Sequence, residues 1–152
     1  GWNICGCTGC QNVNANYVPS CNRSDSEERR DTSSQTSYVC GGRSAGARVA
    51  CRTAIALNAV GVLGLAFPLH APKKKNRRRD GELDEVLAAQ IPLHVIQGEK
   101  DGFGTPDEFV GVDLTVIPGR GHELLRAKTD EHCSLLMESA TRFLHQVIPN
   151  RK

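Results

Sequence analysis

The stretch Tyr38-Val39-Cys40-Gly41-Gly42-Arg43-Ser44-Ala45-Gly46-Ala47-Arg48-Val49-Ala50 decides the fold. It opens with a short extended run, Tyr38 to Cys40, crosses two glycines and continues into residues with helical spacing. Between the two lies Gly42-Arg43-Ser44-Ala45-Gly46, the pattern G-x-S-x-G. A tight turn from strand to helix strains the backbone and pushes the serine hydroxyl into the open. Glycines two before and two after the serine let the flanking backbone come close without a Cβ clash. The Ala45 N–H, at the start of the helix, then points toward a site where negative charge can develop. The pattern is common by itself, and its meaning comes from the strand–turn–helix setting.

Working outward, the rest of the chain alternates strand-like and helix-like segments. The spacing predicts a helix over residues 45–57, with Val49, Ala50, Ala54 and Leu57 on one face and Asn58 at its C-terminal end. The run from Val60 to Phe67 is continuously apolar, as in a strand buried on both faces, and Pro68 closes it. A polar, basic loop over 71–81 leads to a short amphipathic helix from Glu82 to Ala89 carrying Leu83, Val86 and Leu87. Ile91 to Ile96 and Asp113 to Ile117 read as two further strands. The last helix is expected from about Asp130 to Val147, with Thr129 as N-cap and Leu136, Ala140, Phe143, Leu144 and Val147 in one stripe. This alternation predicts an α/β fold, a mostly parallel sheet of about four strands flanked by helices. Ligands of such sheets sit at the carboxyl ends of the strands.

Two more strand ends carry chemistry. Gly98-Glu99-Lys100-Asp101-Gly102 follows the strand 91–96, and Gly119-Arg120-Gly121-His122-Glu123 follows the strand 113–117. An acid at 101 can accept from a histidine Nδ1–H and fix its tautomer. Glu99 and Asp107 are rival acids in the same loop. The glycines around His122 let its imidazole reach a neighbouring strand end. Serine is a poor nucleophile at neutral pH and needs such a base. Ser44, Asp101 and His122, each at its own strand–loop junction and in that chain order, form a candidate triad with the Ala45 amide as oxyanion donor. Each residue also has a plainer reading, as a glycine-rich turn, an Asp-Gly turn or a loop histidine.

Four stretches together resemble the α/β-hydrolase superfamily, and within it the small dienelactone-hydrolase-like proteins. They are Gly41 to Ala50, Leu65-Ala-Phe-Pro-Leu-His-Ala-Pro72, Val95-Ile-Gln-Gly-Glu-Lys-Asp101 and Pro118-Gly-Arg-Gly-His122. The resemblance covers residues 37–150. It implies a serine hydrolase acting on an ester or other acyl bond of a small molecule. In it Ser44 is the nucleophile, Asp101 the acid and His122 the base, and no cofactor is used. It also implies an N-terminal half, with further strands and a glycine-rich loop that supplies a second oxyanion donor. Residues 1–36 show neither, so the sequence is expected to be the C-terminal portion of the domain. That leaves a second reading, a non-catalytic interaction module or inactive fragment retaining the sheet, with a protein partner.

Residues 1–36 hold few large apolar side chains and runs such as Ser24-Asp-Ser-Glu-Glu-Arg-Arg-Asp31. Such a segment buries too little to offset its ordering entropy, and it is expected to be a disordered or non-homologous cysteine-rich leader. The chain starts at Gly1 and its single methionine is Met137, which suggests a fragment or processed product. Four of seven cysteines (Cys5, Cys7, Cys10, Cys21) fall in the leader. Four thiolates can hold zinc, but Cys-x-Cys matches the usual paired spacing poorly, so no metal site is assigned. Cys40, Cys51 and Cys133 are expected as buried thiols in a reducing cytoplasm.

The charges are balanced, 19 Lys and Arg against 17 Asp and Glu, for a net +2. Charge alone therefore gives no case for nucleic-acid binding. Lys73-Lys-Lys-Asn-Arg-Arg-Arg79 is read as a solvated loop, with no aromatic interleaved to stack bases. The longest nearly apolar run, Ala59 to Leu69, is about half of what a membrane-spanning helix needs. Of the other histidines, His70 follows a strand end and either lines a pocket or caps a loop. His94 sits inside an apolar strand as a core histidine, and His132 and His145 lie on the last helix.

Overall fold

The computed structural model describes residues 37–74, 76–127 and 131–148. Strand β1 (Val39–Arg43) leads into helix α1 (Ala45–Ala54), β2 (Gly61–Leu65), α2 (Gly81–Ala88), β3 (Leu93–Gly98), β4 (Asp113–Ile117) and α3 (Cys133–Val147). A 3-10 turn, Pro106–Glu108, interrupts the connection from β3 to β4. The four strands form one parallel sheet in the order β1-β2-β3-β4. Register pairs Arg43 with Leu65, Leu65 with Ile96, and Gly98 with Ile117. The carboxyl ends therefore form one rim, and the loops bearing Ser44, Asp101 and His122 all leave from it. The leader over residues 1–36, its four cysteines and the Thr129 N-cap lie outside the described residues.

Side chains alternate between the two faces of each strand, and two cores follow from this. Val62 and Val95 pack with Ala47, Ala50, Cys51 and Ala54 of α1 and with Leu83 and Val86 of α2. Leu63, Leu65, Ile96 and Ile117 pack with Leu136 and Ala140 of α3. So α1 and α2 cover one face and α3 covers the other. Strand β3, central and covered on both faces, is buried at every position. That is why it reads as an unbroken apolar run apart from His94 and Gln97.

The face of α1 differs from the sequence expectation. Val49 is 49% exposed and Leu57 is 54% exposed, while Ala47, Ala50, Cys51 and Ala54 are buried. The buried stripe is made of small residues because the helix lies close to the sheet. A Cβ on Gly64 of β2 would sit 3.7 Å from the Cβ of Ala47. The helix also ends at Ala54, and Asn58 takes a left-handed φ of 48° in the turns that follow. Strand β1 runs further than Tyr38 to Cys40 and delivers Ser44 directly from its last residue.

Candidate active site

Ser44 stands between β1 and α1 with φ 54° and ψ −119°. A left-handed φ is costly for a residue with a Cβ, and it turns the side chain out of the strand's line. The turn is held from two sides. The Ser44 N–H donates to the Leu65 carbonyl at 2.8 Å, which ties it to the end of β2. The Ser44 carbonyl accepts from Ala47 at 3.0 Å, which starts the helix. A Cβ on Gly42 would lie 2.5 and 2.6 Å from the carbonyl carbon and oxygen of Gly46, so position 42 requires glycine. The two motif glycines are not equivalent. A Cβ on Gly46 would meet nothing within 4 Å among the described residues, so the expected need for space holds at 42 and fails at 46. Ala45 is the first helical residue, and its N–H has no intrahelical acceptor.

The acid and histidine loops are brought together by Gly98. A Cβ there would collide with the carbonyl oxygens of Arg120 and Gly121. With that space empty, Glu99 N–H donates to Ile117 O at 3.0 Å and Lys100 N–H to Arg120 O at 2.8 Å. Asp101, 0% exposed, then faces His122. His122 Nδ1 lies 2.8 Å from Asp101 Oδ2. An ionised carboxylate only accepts, so Nδ1 carries the hydrogen, and Nε2 of the neutral ring is left as an acceptor. Ser44 Oγ lies 2.8 Å from that Nε2. Asp101 also accepts from the Phe103 N–H at 2.9 Å and from Gln97 Nε2 at 2.9 Å. The His122 ring, 23% exposed at its side chain, packs against Phe103 with centroids 4.3 Å apart. Arg43 donates to the His122 carbonyl at 2.8 Å and so fastens the histidine loop to the end of β1.

The rival acids and histidines are engaged elsewhere. Glu99 accepts from the Gly119 N–H at 2.6 Å, and Asp107 is exposed on the 3-10 turn. His70 is buried, with Nδ1 3.0 Å from the Ala71 carbonyl and Nε2 3.2 Å from Glu108. It clasps the loop over 101–109 and does not reach Ser44. His94 makes a second Ser–His–Asp series, with Asp113 Oδ2 at 2.7 Å from Nδ1 and Ser139 Oγ at 2.8 Å from Nε2. Ser139 and His94 are 1% and 2% exposed and Ser139 is also bonded to Thr115, so this hydroxyl is buried between α3 and the sheet, and of the three only Asp113 is exposed. In the basic loop, Lys73, Lys74 and Arg77 are exposed, Arg78 pairs with Asp80 and Glu108, and Arg79 donates to the Pro68 carbonyl. Among the described residues, no group of three or more His, Cys, Asp and Glu side chains is placed to hold a metal ion. No helix among them is long and apolar enough to cross a membrane.

Sequence reasoning passed over three contributors. Gln97, Phe103 and Arg43 touch Asp101 or His122, yet none belongs to the motif chemistry. Gln97 was missed because the apolar run ends at Ile96, whereas β3 continues through Gln97 to Gly98.

A parallel sheet covered by helices on both faces, with a strained serine turn at one strand end and an acid and a histidine at two others, defines an α/β domain of the hydrolase type. The chain belongs to the α/β-hydrolase family: its sequence matches the alpha/beta hydrolase domain over residues 16–145. That match takes in part of the segment set apart as a leader. No curated protein matches the sequence. Among solved structures, it is similar to an alpha-beta serine hydrolase homologue from Coxiella burnetii, at 16% identity and a TM-score of 0.45. The similarity covers 72% of this chain and 49% of that one, so the chain spans about half of that structure's length.

Proposed function

We propose that this protein is a serine hydrolase that cleaves an ester or other acyl bond of a small molecule, with Ser44 as nucleophile, His122 as base and acid, and Asp101 as the residue that orients His122. The observation that carries the reading is the unbroken series Ser44 Oγ to His122 Nε2 to Asp101 Oδ2, 2.8 Å at each step, with Ser44 and His122 partly exposed. Ser44 Oγ attacks the acyl carbon while His122 Nε2 takes its proton. The buried Asp101 carboxylate stabilises the imidazolium that forms and keeps its own charge. The oxyanion accepts from the Ala45 N–H at the head of α1. The tetrahedral species collapses, the leaving oxygen takes the proton from His122, and an acyl group remains on Ser44. His122 then deprotonates a water that attacks the acyl carbon, and the acid is released with Ser44 reprotonated.

Intact-mass labelling with a fluorophosphonate tests this. The expected result is one adduct on the wild-type chain, absent in Ser44→Ala and reduced at least about 1000-fold in rate in His122→Ala. An unlabelled wild-type chain, or an adduct that persists in Ser44→Ala, would overturn the proposal.

A further inference from the structure

Gln97 is fully buried on β3, and its amide nitrogen is committed to the site. Nε2 donates to Asp101 Oδ2 at 2.9 Å and to the Gly104 carbonyl at 2.8 Å, with the Phe67 carbonyl at 3.4 Å. All three neighbours are acceptors, which fixes the orientation of the amide. At the other end of the group, Oε1 is buried and has no hydrogen-bond partner among the described residues. The hydrogen-bonded end of the amide is therefore the end turned to Asp101.

We infer that Gln97 is a positioning residue for the proposed hydrolytic site: it shares Asp101 Oδ2 with His122, holds the carboxylate in line with the imidazole, and stabilises the anionic His122–Asp101 pair. The inference rests on the serine-hydrolase reading for its purpose but not for its geometry. Two hydrogens converge on one oxygen, so the Gln97 donor favours the state in which the pair carries a full negative charge. Protonating His122 neutralises the pair and weakens what Gln97 gains from it. Taking the donor away therefore raises the pH at which the pair takes up its proton.

The charged groups around the pair leave this effect readable. From β1, Arg43 bonds to the His122 main chain. From the loop after β3, Glu99 is bonded to Gly119, and Lys100 is exposed. From the loop after β4, Arg120 lies 3.6 Å from Glu131, and Glu123 is bonded to the Gly121 N–H. From the loop after β2, His70 faces Glu108. Among the described residues, none of these side chains is hydrogen-bonded or ion-paired to the Asp101 carboxylate in the structure.

The test is an NMR pH titration of the full chain without substrate. In the wild-type protein, the Gln97 side-chain amide resonance is expected to move with the same midpoint as the His122 ring. In Gln97→Met, the His122 midpoint is expected to lie higher than in the wild-type chain, because the donor that favours the anionic pair is gone. A Gln97 amide that stays flat through the His122 titration overturns the inference without any variant having to fold. So does an unmoved His122 midpoint in a folded Gln97→Met. Fluorophosphonate labelling of the same samples separates the two proposals. A wild-type chain that shows the coupled titration but takes no probe leaves the Gln97–Asp101–His122 coupling standing and removes the serine-hydrolase reading. A labelled chain with uncoupled titrations does the reverse.

Discussion

The Ser44 backbone is where the chain accepts strain, and that strain is measurable by substitution. At φ 54° and ψ −119°, any side chain is disfavoured relative to glycine. Ser44→Gly and Ser44→Ala both delete the hydroxyl and its bond to His122, so comparing them isolates the backbone cost. We predict that Ser44→Gly is more stable than Ser44→Ala by about 1 kcal/mol, although glycine is ordinarily the weaker choice. Urea unfolding of the two variants gives the number, and an alanine variant as stable as the glycine one would refute the strain argument. The same residue shows what a sequence can disclose. The candidate set Ser44, Asp101 and His122 could be proposed from sequence because each sits at a strand end where glycines mark the turns. Gln97 and Phe103 could not. Their roles depend on which loop folds over which, and no spacing in the chain encodes that the Phe103 N–H turns back to Asp101 two residues earlier.

At the level of elements, the strand–turn–helix unit works because glycine is needed at one end of the motif and is optional at the other. A Cβ at 42 runs into the first turn of α1, whereas one at 46 meets empty space among the described residues. Gly42→Ala is expected to lose about 1–3 kcal/mol, because the helix must move off the strand. Gly46→Ala is expected to gain a few tenths up to about 1 kcal/mol from better helix propensity. Thermal unfolding of the two variants checks the pair, and a neutral Gly42→Ala would sink the packing account. The strand pattern was legible from apolar runs alone, and β4 begins and ends where its pattern does. The register of α1 was not. Val49 and Leu57 have the hydrophobicity to be buried, but a sheet face with glycine at 64 accepts only a helix lined with alanine and cysteine. Volume decided the facing, and a count of apolar positions does not record volume.

For the molecule as a whole, the two faces of one sheet divide the work of stability, and the α1 face contains a group that ties stability to alkaline pH. Cys51 is buried between α1 and the sheet, and that burial, helped by the Glu82 charge, pushes its thiol from 9.0 up to about 12. The sign follows from which state binds the proton. Below about 9 the thiol is protonated both folded and unfolded, and its full contribution to stability is present. Between about 9 and 12 the unfolded chain loses the proton and the folded chain keeps it, so unfolding becomes easier as pH rises, by at most about 1.4 kcal/mol per pH unit. Lysines and tyrosines also titrate in that range, so the effect belongs to a difference. Cys51→Ala removes the thiol and leaves a methyl-sized side chain on the same face. The variant is expected to be less stable than the wild type at pH 7, with the gap closing as urea unfolding is repeated from pH 8.5 to 10.5. The wild-type thiol is expected to resist alkylation at pH 9 until urea exposes it. A gap constant across that range, or rapid alkylation of Cys51 in the folded chain, would show that the α1 face admits water and is not the closed core on which the Ser44 turn rests.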